Sequence, residues 1–109
     1  NIAVDYGGRN EIIRAMNAFI QEKGSHNKEI SEADLSDYSD LKKQPDPDLI
    51  IRTGGDKRLS NFMLWHAAYS ELDFIDTLWP NFLPSDFDAA LTRFNNAKRR
   101  YGAIREVAE

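Results

Sequence analysis

Short apolar runs separated by amphipathic stretches set the rhythm of this chain. Ile2-Ala3-Val4 is a compact apolar run that ends at Tyr6-Gly7-Gly8-Arg9, which predicts a buried strand followed by a glycine turn. From about Asn10 to Lys23 the apolar positions Ile12, Ile13, Met16, Phe19 and Ile20 recur at helical spacing. Asn10 suits the N-cap, Glu11 the first turn and Gly24 the stop. Gly24 to Glu29 is polar and reads as a loop. Ser31-Glu32-Ala33-Asp34 has the form of a capping box and opens a short helix to about Tyr38. Pro45 and Pro47 keep the stretch from Asp40 to Asp48 irregular.

Leu49-Ile50-Ile51 marks a second strand, from about Asp48 to Arg52. A helix is expected from about Ser60 to Ser70, with Ser60 as its cap. Phe62, Met63, Leu64, Trp65, Ala67, Ala68 and Tyr69 make it apolar around much of its circumference, so burial is expected. Leu72 to Ile75 alternates like a third strand, and Trp79 to Phe82 reads as a loop. Ser85 is the expected cap of a last helix with Phe87, Ala90, Leu91 and Phe94 on one face. The implied fold class is α/β: a parallel sheet flanked by helices, with two or three strands and about four helices. In such sheets ligands bind beyond the carboxyl ends of the strands. Gly7-Gly8-Arg9 and the run from Arg52 to Ser60 both fall at expected strand ends.

Composition narrows the partners. The 109 residues carry 14 Lys+Arg against 18 Asp+Glu, a net charge of −4, which disfavours a general nucleic-acid or anionic-membrane surface. Any anion site must therefore be local. The absence of Cys excludes disulfides and thiolate metal sites, and fits a cytoplasmic protein. No apolar run approaches the roughly 18 residues of a membrane span. The chain opens on Asn1 in mid-strand, without an initiator Met, which leads us to expect a piece of a longer protein.

The stretch from Asp46 to Trp65 carries the strongest chemistry. Arg52 ends a strand, and Arg58 and Ser60 stand at the start of the expected helix. Arginine forks and a helix N-terminus are what a phosphate group needs. Gly54-Gly55 lets the backbone approach a ligand and could form a nest of N–H groups. The plainer alternatives are an Arg52 paired with Asp48 or Asp56, and a Ser60 that only caps. His66 reads as a satisfied core or interface histidine rather than a ligand. Glu71, at the expected helix C-terminus, is misplaced against the helix dipole, which points to a metal or a basic partner. Lys98-Arg99-Arg100 reads as a favourable helix C-terminus.

These segments resemble the cis-prenyltransferases, the isoprenyl or undecaprenyl diphosphate synthases. Asn1-Ile2-Ala3, Tyr6-Gly7-Gly8-Arg9 and Glu11-Ile12 are similar to one block of that family. Asp48-Leu49-Ile50-Ile51-Arg52-Thr53-Gly54-Gly55, Arg58-Leu59-Ser60-Asn61-Phe62 and Leu64-Trp65 are similar to the next. Ala68-Tyr69, Glu71-Leu72, Phe74, Leu78-Trp79-Pro80 and Phe82 continue the likeness. The resemblance implies repeated condensation of isopentenyl diphosphate with an allylic diphosphate such as farnesyl diphosphate. It also implies Mg²⁺ and a homodimer that meets the membrane, at most, through its lipid product. By motif, Arg52, Arg58 and Ser60 would bind the diphosphate of isopentenyl diphosphate, and Glu71 would be associated with Mg²⁺. Arg100 and Gly102 resemble a C-terminal Arg-x-Gly that helps close the site. Gly54, Gly55 and Asp56 are candidates to support it; Arg9 matches a motif position whose role, substrate contact or structural support, is open.

The chain departs from the family pattern at Asp5, where Asn or Ser is more usual. More consequentially, it has no Asp-Gly-Asn-Gly-Arg-Trp-like segment, the part that carries the catalytic aspartate. The resemblance therefore implies that residues 1–109 are the C-terminal part of a single domain, that the N-terminal half lies outside this sequence, and that the piece is inactive alone. A non-catalytic partner subunit and a stand-alone anion-binding domain are the alternatives.

Overall fold

The computed structural model describes residues 1–24 and 29–97. The chain divides into two compact units. One holds Asn1–Pro47 with Arg58–Ala68; the other holds Asp48–Lys57 and the chain from Tyr69 onward.

In the first unit, helix α1 spans Gly8–Lys23 and helix α2 spans Glu32–Tyr38. Helix α1 starts earlier than its sequence signals suggest. Gly7, extended, is its N-cap, and the Asn10 side chain instead accepts from Arg14 Nε at 2.7 Å. Its cap comes from elsewhere in the chain. The Gly8 N–H donates to the Asn61 backbone carbonyl at 2.6 Å and the Arg9 N–H to Asn61 Oδ1 at 2.9 Å. Two donors that a helix N-terminus leaves orphaned are thereby satisfied. Gly8, Glu11, Ala15 and Phe19 form the buried stripe, whereas Ile13, Met16 and Ile20 are exposed. The expected apolar face of α1 is thus largely turned outward, and a Glu lies on the buried one.

Helix α2 keeps closely to its local code. Asp34 N–H donates to Ser31 Oγ at 3.1 Å and Ser31 N–H to Asp34 Oδ2 at 2.9 Å, the reciprocal capping box. Leu35 is buried, and Phe19 meets Tyr38 edge-on at 5.7 Å, packing α2 against α1.

Two expected elements of this unit do not form. Ile2-Ala3-Val4 is not a strand; Ile2 is 93% and Val4 83% exposed. A strand needs a paired neighbour, none among the described residues pairs here, and Asp5 turns left-handed (φ 51°) immediately afterwards. Residues 60–69 form successive turns rather than a helix. Ser60 (φ 50°), Asn61 (φ 65°) and Met63 (φ 49°) are left-handed, which breaks the α-helical ladder. One turn closes from Phe62 N–H to the Leu59 carbonyl (3.1 Å), another from Ala67 N–H to that of Met63 (2.8 Å). Nor is the segment deeply buried. His66 is, but Phe62 and Tyr69 are exposed.

The second unit is built on two parallel strands, β1 (Leu49–Arg52) and β2 (Glu71–Phe74), with Leu49 opposite Glu71 and Arg52 opposite Phe74. Glu71 therefore opens a strand and does not end a helix. The pairing extends past the strand ends, with Ile75 N–H donating to the Arg52 carbonyl (2.8 Å), Gly55 N–H to Ile75 (3.0 Å) and Gly54 N–H to Thr77 (2.9 Å). A single 3₁₀ turn covers Trp79–Asn81, where the sequence suggests plain loop, and Trp79 stacks on Phe82 at 5.7 Å.

Helix α3 spans Pro84–Asn96. Pro84 sits in the first turn, and Asp86 Oδ2 accepts from the Leu83 N–H at 2.8 Å. Leu83 is therefore the N-cap residue, and Ser85 lies inside the helix. Ala90 is buried and Arg93 Nε reaches Asp73 Oδ2 at 2.8 Å, which ties α3 to β2. Phe87 and Leu91 remain exposed. The α/β class with a parallel sheet holds. Among the described residues there are two strands and three α-helices, because the segments expected as a further strand and a further helix adopt neither form.

Candidate functional site

The predicted site residues divide between the two units. Arg52, Gly54, Gly55, Asp56 and Glu71 belong to the sheet unit, and Arg9, Arg58 and Ser60 to the other. Arg100 and Gly102 lie outside the described residues, as do the tail Lys98 to Gly102 and most of the loop after Gly24.

At the end of β1, Arg52 is half-buried and its Nη2 lies 3.2 Å from Asp56 Oδ2. The carboxylate partner that a structural arginine needs is thus present. Gly54 (φ 95°) and Gly55 (φ 87°) are both left-handed, a geometry that glycine takes without penalty. Their N–H groups are committed to Thr77 and Ile75. The pair is consequently a turn that carries the sheet pairing onward, and the expected anion-binding nest does not form. Positive charge for an anion must come from side chains.

In the other unit, Arg58 and Ser60 are exposed at the leading end of the turn segment. Because Ser60 starts no helix, the expected helix-dipole contribution at that point is absent. Beyond Ser60 the chain is held tightly. Asn61 caps α1, Phe62 meets Tyr6 edge-on at 5.7 Å, and Trp65 Nε1 donates to Ser36 Oγ at 3.0 Å. A Cβ added at Gly8 would stand 2.9 Å from the Leu64 backbone nitrogen and 3.0 Å from the Asn61 carbonyl oxygen. Gly7-Gly8 therefore admits residues 61–64 against the helix start. The Arg9 side chain is exposed, and its backbone makes the contact.

Behind this segment lies a buried polar network of which the sequence revealed only His66. His66 and Glu11 are each 2% exposed. His66 Nε2 is 3.2 Å from Glu11 Oε2, and Nδ1 is 2.9 Å from Asp46 Oδ1. Glu11 also accepts from the Asp40 N–H at 2.9 Å and, through Oε1, from the Tyr6 hydroxyl. His66 is thus the satisfied histidine expected. Burial, and then the bond to Glu11, pushes the Tyr6 phenol above its ordinary range. Arg14 grips Asp40 with two bonds of 2.8 Å and holds that carboxyl below its usual range. Tyr6, Glu11, Arg14, Asp40, Met63 and His66 line part of a cavity of about 670 Å³ within this unit.

Glu11, Asp46 and Asn61 are the residues that sequence reasoning missed. Glu11 shares a stripe with Ala15 and Phe19, which could have marked it. Asn61 is of a type that tolerates the left-handed region. Asp46 had no local signal.

No group of three or more His, Cys, Asp or Glu side chains suited to a metal occurs among the described residues. The described residues by themselves form no cage for a metal. A single carboxylate such as Glu71, half-buried at the start of β2, fits only a hard cation that takes its remaining ligands from phosphate and water. No helix among the described residues is long and apolar enough to cross a membrane.

Comparison with known proteins bears on the whole stretch. A family profile described as "Putative undecaprenyl diphosphate synthase" matches residues 1–102. The chain is 46% identical over 104 residues to an isoprenyl transferase of Aquifex aeolicus and 49% identical over 105 residues to one of Thermotoga maritima. These matches cover 95% and 94% of this chain but only 44% and 45% of the relatives. The chain thus spans less than half the length of these curated relatives. Among solved structures, the "probable undecaprenyl diphosphate synthase" of Campylobacter jejuni superposes with a TM-score of 0.82 at 40% identity, over 94% of this chain and 47% of that one. Lavandulyl diphosphate synthase of Lavandula x intermedia, solved with dimethylallyl diphosphate, gives 0.81 at 35% identity, over 93% and 45%.

Proposed function

This chain belongs to the undecaprenyl diphosphate synthase family of prenyltransferases, and on that premise we propose that it supplies the isopentenyl diphosphate-binding part of a cis-prenyltransferase. The observation that carries the reading is the family match over residues 1–102, a span that includes Arg52, Arg58, Ser60 and Glu71. The whole enzyme condenses isopentenyl diphosphate with an allylic diphosphate, such as farnesyl diphosphate, to a polyprenyl diphosphate; undecaprenyl diphosphate is the product we propose. Residues 1–109 form the C-terminal part of that domain, the catalytic aspartate lies outside them, and they are inactive alone. The homodimer and the cytoplasmic location rest on the family.

In this reading the guanidinium forks of Arg52 and Arg58 and the Ser60 hydroxyl grip the diphosphate oxygens. The grip orients the homoallylic double bond toward the allylic carbon. Asp56 keeps Arg52 aimed while no anion is bound, consistent with their 3.2 Å pair. Glu71 would hold Mg²⁺, which when bound shields diphosphate charge. Arg100 and Gly102 would close the site. The likeness to a synthase solved with dimethylallyl diphosphate fits this substrate class.

The test is steady-state turnover in the full-length protein carrying this sequence. Arg52→Ala and Arg58→Ala should each raise KM for isopentenyl diphosphate about tenfold or more, as the loss of a hydrogen bond to a charged group predicts. Unchanged KM and kcat in both variants would remove the clamp.

A further inference from the structure

We propose that Asn61 is a positioning residue for the diphosphate clamp, and that Gly7, Gly8 and Arg9 serve the site by docking it. This rests on the reading of Arg58 and Ser60 as diphosphate ligands. Ser60 and Asn61 are consecutive left-handed residues without glycine, so the chain turns sharply where the clamp side chains emerge. Such a turn persists only when its surroundings hold it. Asn61 supplies that hold with both of its carbonyl groups, the backbone one on the Gly8 N–H at 2.6 Å and Oδ1 on the Arg9 N–H at 2.9 Å.

Glycine at position 8 is required for this approach, since any Cβ there would meet backbone atoms of Leu64 and Asn61 at 2.9 and 3.0 Å. Further along, Phe62 on Tyr6, Trp65 on Ser36 and His66 on Glu11 fix the segment against the same unit. The result is a platform anchored from residue 61 onward that presents exposed Arg58 and Ser60 at its leading end. The first amide groups of α1 are occupied by Asn61. The Gly7-Gly8-Arg9 motif therefore contributes alignment and does not contact the ligand through those amides.

Two variants of the full-length protein test this. Asn61→Gly keeps the left-handed backbone and its carbonyl but loses Oδ1, whereas Asn61→Asp keeps an oxygen acceptor there. Hydrogen exchange at the Arg9 amide should quicken about fivefold or more in Asn61→Gly, the loss of one hydrogen bond. KM for isopentenyl diphosphate should rise by a similar factor, with KM for the allylic diphosphate and kcat unchanged. Asn61→Asp should restore both. Faster Arg9 exchange with an unchanged KM would reduce Asn61 to a helix cap and overturn the proposal. Unchanged Arg9 exchange would overturn it by removing the clasp. An Arg58→Ala control with unchanged KM would instead overturn the reading of the site, and this proposal with it, while leaving the exchange result for Arg9 standing.

Discussion

The two glycine pairs of this chain look alike in sequence and do opposite things. Gly7-Gly8 is defined by the absence of space, with Asn61 and Leu64 pressed against it at a conventional backbone geometry. Gly54-Gly55 is defined by conformation. Both residues are left-handed, and a Cβ at Gly54 would meet nothing within 4 Å. A Gly-Gly motif therefore names two physical needs, close approach and positive φ, and only three-dimensional neighbours separate them. The contrast extends to the units. The one holding Gly7-Gly8 is tied by a buried polar network, and the one holding Gly54-Gly55 by a backbone ladder and an Arg93–Asp73 pair whose arginine is half exposed.

The largest effect should come from the buried network. Glu11→Leu in the full-length protein leaves the Tyr6 hydroxyl, the Asp40 N–H and His66 without their shared acceptor, and should cost about 3–5 kcal/mol in denaturant unfolding. Arg93→Ala, its counterpart in the sheet unit, should cost under about 1 kcal/mol. Equal losses would break the contrast. Next in size is Gly8→Ala, which forces backbone atoms apart and should cost about 1–3 kcal/mol. Gly54→Ala should cost roughly 1–2 kcal/mol through its left-handed geometry alone. Asparagine sharpens the distinction, for it should recover much of the loss at Gly54 and none at Gly8.

The smallest effect is electrostatic. Asp40 is held below its ordinary pKa by Arg14, so its contribution is present above the unfolded value of about 3.9 and is lost as pH falls through the folded one. Both partners are about half exposed, so Arg14→Ala should cost under about 1 kcal/mol at pH 7. That difference should shrink progressively in melts as pH is lowered below about 3.9. A difference that does not shrink there would mean Arg14 acts through packing.

Elements governed by their own residues were legible in the sequence. The Ser31–Asp34 box, the stop at Gly24, strand β1 and the alternation of β2 all form where their local code puts them. Features that depend on a distant partner were not. The start of α1 is set by Asn61, some fifty residues on. Ile2-Ala3-Val4 has the composition of a strand but, among the described residues, no ladder to join. Residues 60–69 have a helical composition, but left-handed turns at Ser60, Asn61 and Met63 override it, since propensity is a weak prior against tertiary contacts. In the candidate site, the sequence supplies the residue types of the proposed clamp. The commitment of the Gly54 and Gly55 amides to Thr77 and Ile75 could not, because both acceptors lie beyond the crossover.

The central claim is that side chains of Arg52, Arg58 and Ser60, and not the glycine backbone, hold a diphosphate. The most direct measurement is a crystal structure of the full-length protein with isopentenyl diphosphate. The account predicts diphosphate oxygens within hydrogen-bond distance of both guanidinium groups and Ser60 Oγ, with the Gly54 and Gly55 amides still bonded to Thr77 and Ile75. A diphosphate seated on those two amides, or bound away from the arginines, would contradict it.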